Sequence, residues 1–253
     1  MLELYHGEPS ANSMKPMLLL KEKGIDFVSH YLDLGKFDQH QPDFVKVNPN
    51  GQVPVLVHDG TVITESTVIN EYLEDVFPRP AFRPRHPAER ARMRIWSKFV
   101  DEYFCPSLSI LGWQAIIPTF VKDLTPAELE AKIAKIPLKE QQDKWRTAAK
   151  SFSTEVLTES RRKLHTSIDR MEAALQSARW LAGESYSLAD INTYSMVAAM
   201  PRLMPDIVNA MDTPRIVAWL DVMSARPAVK AALGMSRRPL AGSVPAPGRA
   251  PQG

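Results

Sequence analysis

The chain has 253 residues, 44% of them hydrophobic and 24% charged, which suits one large or two ordinary soluble globular domains. A formal net charge of +2 gives no overall case for nucleic acid or an anionic membrane as partner. The single cysteine, Cys105, excludes an intramolecular disulfide and suits a reducing compartment. Residues 1–7 carry neither the basic stretch nor the apolar run of a secretory signal, and no run reads as long enough to span a bilayer. The expectation is a cytoplasmic protein without stable membrane insertion. No Cys/His cluster has zinc-ligand spacing, so no metal is expected.

In chain order, Leu2–His6 alternates apolar and polar side chains, the period of a half-buried strand. Asn12 reads as the cap of a helix from Ser13 to Lys23 that Gly24 stops, with Pro16 in its first turn, where a missing N–H costs little. A second strand is expected over residues 27–34. Two more, 53–58 and 61–63, flank Asp59-Gly60, a two-residue hairpin signal. Residues 65–76 then place Val68, Ile69, Tyr72, Leu73 and Val76 at helical spacing. The order is β-α-β followed by β-β-α within residues 1–78.

Pro78, Pro80, Pro84 and Pro87 mark a linker over 79–87, after which the pattern is helical. Residues 89–104 carry Met93, Trp96, Phe99, Val100 and Phe104 on an amphipathic helix. The charged stretch 124–150 reads as solvated helix around Pro137, and 157–176 as another helix. Ser187-Leu188-Ala189-Asp190 has the form of a capping box, with an acid one methylene short of the usual Glu, opening a buried helix with Ile191, Tyr194, Met196 and Val197. Helices over 213–226 and 228–233 complete a domain of residues 88–235, and 236–253, rich in Pro, Gly, Ala and Arg, is expected to be a disordered tail.

Two segments suit a short peptide ligand with a free γ-linked carboxylate. In Asn48-Pro49-Asn50-Gly51-Gln52-Val53-Pro54-Val55-Leu56, a cis Val53–Pro54 bond, at a cost of ~1 kcal/mol, would turn the Val53 N–H and C=O toward an extended peptide. A trans proline opening an edge strand is the plainer alternative. Glu65-Ser66 stands where a helix begins, and free N–H groups there favour an anion. Ser66 suits a carboxylate and Glu65 an adjacent ammonium, while ordinary capping by Thr64 or Ser66 is compatible with both. Gln39, His40 and Gln52 are candidates for the other end of such a peptide.

This arrangement, followed past a proline-rich linker by helices, resembles a glutathione S-transferase over residues 1–235. The Asn-Pro-x-Gly-Gln-Val-Pro-x-Leu run, Glu65-Ser66 and Ser187 to Asp190 stand in the order and separation of that family. The resemblance implies an α/β thioredoxin-like N-terminal domain plus an all-α C-terminal domain, the glutathione S-transferase fold. It implies glutathione as cosubstrate, with its γ-glutamyl carboxylate on Ser66, its ammonium by Glu65, its cysteinyl backbone on Val53 beside Pro54, and His40 as the candidate for its glycine carboxylate. In that family a tyrosine in the first strand, or a serine or cysteine opening the first helix, activates the thiol. Tyr5 lies inside the strand and no cysteine is nearby, so the match points to Ser13, with the Asn12 amide as the alternative donor. A free thiol is mostly protonated at neutral pH, and a helix N-terminus with one donor stabilises the thiolate by about 2.7 kcal/mol.

Longer runs are similar to the bacterial lignin β-etherases, glutathione-dependent enzymes that cleave β-aryl ethers. They cover residues 8–16, 36–40, 65–78 and 96–105, and the charged stretch before Trp145-Arg146 matches a helical insertion that ordinary members lack. Gly7-Glu8, residues 118–124 and the tail do not match obviously. This similarity implies thiolate attack at Cβ of an α-keto aromatic ether from lignin, giving a glutathione thioether with inverted Cβ and a phenol. No metal or redox cofactor is needed. Tyr103, Phe104, Trp113 and Ile116 would meet the aromatic substrate, with core packing as the alternative for each, and Tyr194 and Met196 are expected in the core. Asp101 is expected to be solvated, with reach to a partner subunit's glutathione as the alternative. A homodimer is implied. The competing readings are a glutathione transferase or isomerase acting on another aromatic electrophile, and a non-catalytic glutathione- or ligand-binding protein.

Overall fold

In a computed structural model describing residues 1–238, the N-terminal alternation forms β1 (Leu2–His6), which buries Leu2, Leu4 and His6 on one face. It is followed by α1 (Ala11–Lys23), β2 (Val28–Tyr31), two 3₁₀ turns at Leu34–Lys36 and Asp38–His40, α2 (Pro42–Val47), β3 (Val55–His58), β4 (Thr61–Ile63) and α3 (Ser66–Val76). The sheet runs β2-β1-β3-β4, with β2 parallel to β1 and β3 and β4 antiparallel to their neighbours. Asp59 and Gly60 both take positive φ, 48° and 83°, as a tight hairpin turn demands.

Three local expectations shift. The second strand stops at Tyr31 because the Asp33 carboxylate caps the next turn, accepting from the Gly35 N–H at 3.0 Å. The first helix begins at Ala11, with Ser10 at the N-cap in extended geometry, so Asn12 lies inside the first turn and is not the cap. Pro16 consequently falls in the second turn and withholds the N–H that the Asn12 carbonyl would have accepted. Gly24 ends the helix at φ 64°, as expected.

The second half is α4 (Pro87–Phe99), a π turn at Val100–Phe104, α5 (Cys105–Val121), α6 (Pro126–Ile133), α7 (Lys139–Lys150), α8 (Thr154–Ser177), α9 (Leu188–Val197), α10 (Met200–Leu203), α11 (Pro214–Ala225) and α12 (Pro227–Leu233). Residues 87–121 make one continuous 35-residue helix, by length and composition alone long and apolar enough to cross a membrane, against the expectation that no run is. It packs instead on α7, α8 and α9. The helix expected over 89–104 thus runs on to Val121, because Pro106 follows a π turn, where a missing N–H is tolerated.

One core joins the sheet, α1, α3, α4, α8, α9, α11 and α12, with Met14, Met17, Leu18, Leu19 and Leu20 of α1 fully buried at its centre. Tyr194 and Met196 lie in this core, as expected. The predicted capping box forms: Asp190 accepts from the N–H groups of Ser187 and Leu181 and from Trp219 Nε1, each at 3.1 Å. Between the halves, Asn70 on α3 donates to Asn192 Oδ1 at 2.7 Å, and Asn192 donates to Ser97 Oγ at 3.0 Å. A buried Lys23–Glu74 pair at 2.6 Å braces the linker, where Arg79–Pro80 is a second cis bond.

A satellite core gathers Ile117, Ile133, Ile136, Trp145, Ala148 and Phe152 around Phe37 of the first half. The charged stretch 124–150 is therefore not simply solvated: helix is interrupted around Pro137, and one face of α6 and α7 is buried against α5 and Phe37. Ser236, Arg237 and Arg238 lie against that domain as well. The rest of the expected disordered tail, 239–253, lies outside the described residues.

Candidate active site

The strand register brings the candidate segments to one end of the sheet. Tyr5 pairs with Val55 and Leu56 with Ile63, so the exit of β1, the start of β3 and the exit of β4 lie side by side. From those three points come the loop to Ser13, the Gly51–Pro54 turn and Glu65-Ser66. The exit of β2 is parallel to that of β1 and leads to Gln39 and His40.

At the start of α1, Ser13 is buried and its Oγ accepts the Gly7 N–H at 3.2 Å. That leaves the hydroxyl proton free to donate. Asn12 Oδ1 takes the Cys105 thiol at 3.8 Å, leaving its NH2 as a donor. The first N–H groups of the helix have no partner within it and add positive potential. The loop that sets this geometry is clamped at Glu8, which accepts from Tyr31 Oη and Ser236 Oγ at 2.6 Å and from the Arg237 N–H at 3.2 Å. Burial works to raise the Glu8 pKa, but the hydrogen bonds, from Ser236 and Tyr31 above all, outweigh it and hold the carboxyl below its ordinary range. Tyr31 is pushed up to about 12 by burial and by Glu8. Arg238 pairs with Asp33 beside it. Nothing local in the sequence signals this clamp.

The Val53–Pro54 bond is cis, the geometry favoured from the sequence. Gly51 adopts φ 61°, and a Cβ there would come 2.7 Å from His40 Nδ1 and 3.1 Å from the Gln39 carbonyl. Only glycine lets these segments approach so closely. Asn48 shapes the turn, accepting from the Gly51 N–H at 2.9 Å and donating to the Gln52 carbonyl at 2.8 Å. Gln39, His40, Gly51 and Gln52 therefore converge, with Gln39 Oε1 and His40 Nδ1 buried and without protein partners. His40 is buried rather than on the surface. Phe37 packs on it and on Trp145, 4.7 Å between ring centroids, so the insertion roofs this end, and burial lowers the His40 pKa to about 4.

At α3, Glu65 is the N-cap at φ 63° and makes no capping bond with its side chain, while Ser66 is buried at the first helical position. A non-glycine residue in that backbone region costs ~1–3 kcal/mol. The first-turn N–H groups remain open to an anion.

The aromatic candidates separate. Phe104 is fully buried in the main core, and Tyr103 stacks on Phe99 beneath Lys163 of α8. These two serve packing rather than the thiol end. Ile116 is half exposed, and Trp113 lies in the satellite core against Trp145. Cys105, Ser109 and Trp113 share the α5 face that reaches Asn12. Burial raises the Cys105 pKa, so it is a packing thiol rather than a nucleophile. Asp101 is not free in solvent as expected: it takes the buried Lys15 ammonium at 2.6 Å and ties α1 to the π turn.

The glutathione S-transferase N-terminal domain family matches residues 1–75 and the C-terminal domain family residues 104–227. Protein LigF of Sphingobium sp. (strain NBRC 103272 / SYK-6) is 46% identical over 94% of this chain and 95% of its own length. Glutathione S-transferase 3 of Zea mays is 27% identical over 90% of each. Among solved structures, the β-etherase LigF of Sphingobium sp. strain SYK-6 superposes with a TM-score of 0.90 at 45% identity, covering 93% of this chain and 99% of that one. Glutathione transferase F7 of Populus trichocarpa gives 0.72 at 25% identity over 92% and 98%. With both domain families in place and a relative this similar along its whole length, the chain belongs to the glutathione S-transferase family.

Proposed function

We propose that this chain is a glutathione-dependent β-etherase that cleaves β-aryl ethers of lignin-derived α-keto aromatics. The observation that carries the reading is end-to-end similarity, at 46% identity and a TM-score of 0.90, to a protein whose solved structure bears the name β-etherase. The α-carbonyl activates Cβ; the glutathione thiolate attacks it from behind; the S–Cβ bond forms as Cβ–O breaks, and the electron pair leaves on the phenolate oxygen. The protein's task is to generate the thiolate and align it. Ser13 donates a hydrogen bond from its hydroxyl to the thiolate, aided by the α1 N-terminus and the Asn12 amide. Ser66 holds the γ-glutamyl carboxylate and Glu65 the ammonium. Val53 beside Pro54 pairs with the cysteinyl backbone, and Gln39, His40 and Gln52 meet the glycine end. Trp113 offers an aromatic wall on the α5 face that passes Asn12, with Ile116 beyond it. A cytoplasmic homodimer working in aromatic catabolism completes the reading, and sedimentation tests its oligomeric part.

The test is phenol release from each enantiomer of a fluorogenic β-aryloxy ketone, with and without glutathione. Glutathione-dependent release from one enantiomer is expected. Glutathione binding without release from either overturns the β-etherase assignment in favour of another electrophile or a binding role.

A further inference from the structure

A lysine of the insertion hangs over the α5 face that leads to the thiol. Lys144 on α7 donates to Ser109 Oγ at 2.8 Å, and its ammonium lies 4.3 Å from the Trp113 ring centroid. Ser109 is one turn along α5 from Cys105, about 6 Å by helical rise, and Cys105 touches Asn12 beside Ser13. Nearby cations have carboxylates: Lys15 has Asp101, Lys139 has Asp143, and Arg146 has Glu130 and Asp143. Among the described residues no carboxylate pairs with Lys144. Burial also lowers its pKa below the ordinary lysine value, with only Cys105 pulling the other way. A half-buried cation with a hydroxyl and an indole for company is costly to maintain for structure alone, and such groups concentrate where chemistry needs them.

We infer that Lys144 is a catalytic residue of the ether cleavage, its ammonium meeting the negative charge that arrives on the aryl oxygen as the thiolate displaces it. The inference rests on the β-etherase reading above. As the Cβ–O pair leaves on oxygen, an Nζ–H hydrogen bond tightens and its proton passes to that oxygen; phenol departs neutral, and the amine regains a proton from water. Donor and acceptor suit each other, since phenols and lysines titrate in the same range. Ser109 and Trp113 hold the ammonium on the cleft side of α7.

The test compares wild type with Lys144→Gln, Lys144→Met and Lys144→Arg on β-aryloxy ketones that differ only in the departing phenol, from guaiacol to 4-nitrophenol. Lys144→Gln is expected to lower kcat for guaiacol release by ~10²-fold, the usual loss for a missing acid, and 4-nitrophenol release by less than ~3-fold. Glutathione affinity stays unchanged, and Arg restores part of the loss through charge alone. Met, which keeps the apolar stem, replaces Gln if that variant melts early. An equal loss for both phenols, or no loss, overturns the assignment while leaving the β-etherase reading intact. Absence of phenol release by wild type overturns both.

Discussion

Protonating His40 should loosen the protein by an amount that its surroundings set. The imidazole is buried, lies edge-on to Phe37, and has no carboxylate partner among the described residues; its Nδ1 faces the Gly51 backbone. Burial disfavours the charged ring and brings its pKa to about 4. In the unfolded chain the ring titrates near 6.5, so it takes a proton there before it does in the fold. The stabilising contribution is therefore complete above the unfolded value and is lost as pH falls through the folded one, about 3.4 kcal/mol in all. Between pH 7 and pH 5 the loss is about 1.8 kcal/mol. Urea unfolding of wild type and His40→Gln at both pH values isolates the term, because every other group titrates alike in the two proteins. Wild type should lose about 1.8 kcal/mol more than the variant over that interval. An equal loss in both would refute the burial argument.

Four further outcomes are expected. Ser13→Ala should lower kcat by ~10-fold or more and shift the kcat/KM profile to higher pH, because the bound thiol loses a donor and its pKa rises; an unmoved profile assigns that role to Asn12 or the helix. Gly51→Ala forces a Cβ against His40 at positive φ, and should cost ~2–3 kcal/mol by denaturant titration and weaken glutathione binding. Asp190→Ala leaves two buried N–H groups and the Trp219 indole without an acceptor, and should destabilise by ~3–5 kcal/mol in thermal or urea unfolding. Trp145→Ala empties the satellite core, and should cost ~3–4 kcal/mol and speed hydrogen exchange first in residues 124–150.

Signals that act over a few residues were readable. The alternation of β1, the Asp59-Gly60 turn, the Gly24 stop and the Ser187–Asp190 box each follow from neighbouring side chains, and each forms as expected. The start of α1 was not, because Ser10 caps it through backbone geometry with no side-chain bond to announce it. For Tyr103 and Phe104 the sequence leaves substrate contact and core packing both open; only the tertiary structure shows Phe104 closed in the main core and Tyr103 stacked on Phe99. Trp145 over the Phe37 that covers His40, and Ser109 and Trp113 beside Lys144, come from far away in sequence, and no window centred on either residue contains them. Without Phe37 and Trp145 in contact, His40 reads as an ordinary surface histidine, and without Ser109 and Trp113, Lys144 reads as one more charge on a polar helix.

The loop before α1 and the helix's first turn gather their partners from the rest of the chain: Cys105 reaches Asn12, Ser195 donates to the Ala11 carbonyl at 2.7 Å, and Ser236 and Arg237 close on Glu8. A ribosome delivers those partners in that order, the last of them more than two hundred residues after Glu8 itself. The β-sheet of the first half draws its register from residues 2–63, all of them made before any of those partners. The loop that leads to Ser13, proposed above to activate the thiol, takes its last fastenings from Ser236 and Arg237, so a chain stalled or cleaved before Ser236 lacks them.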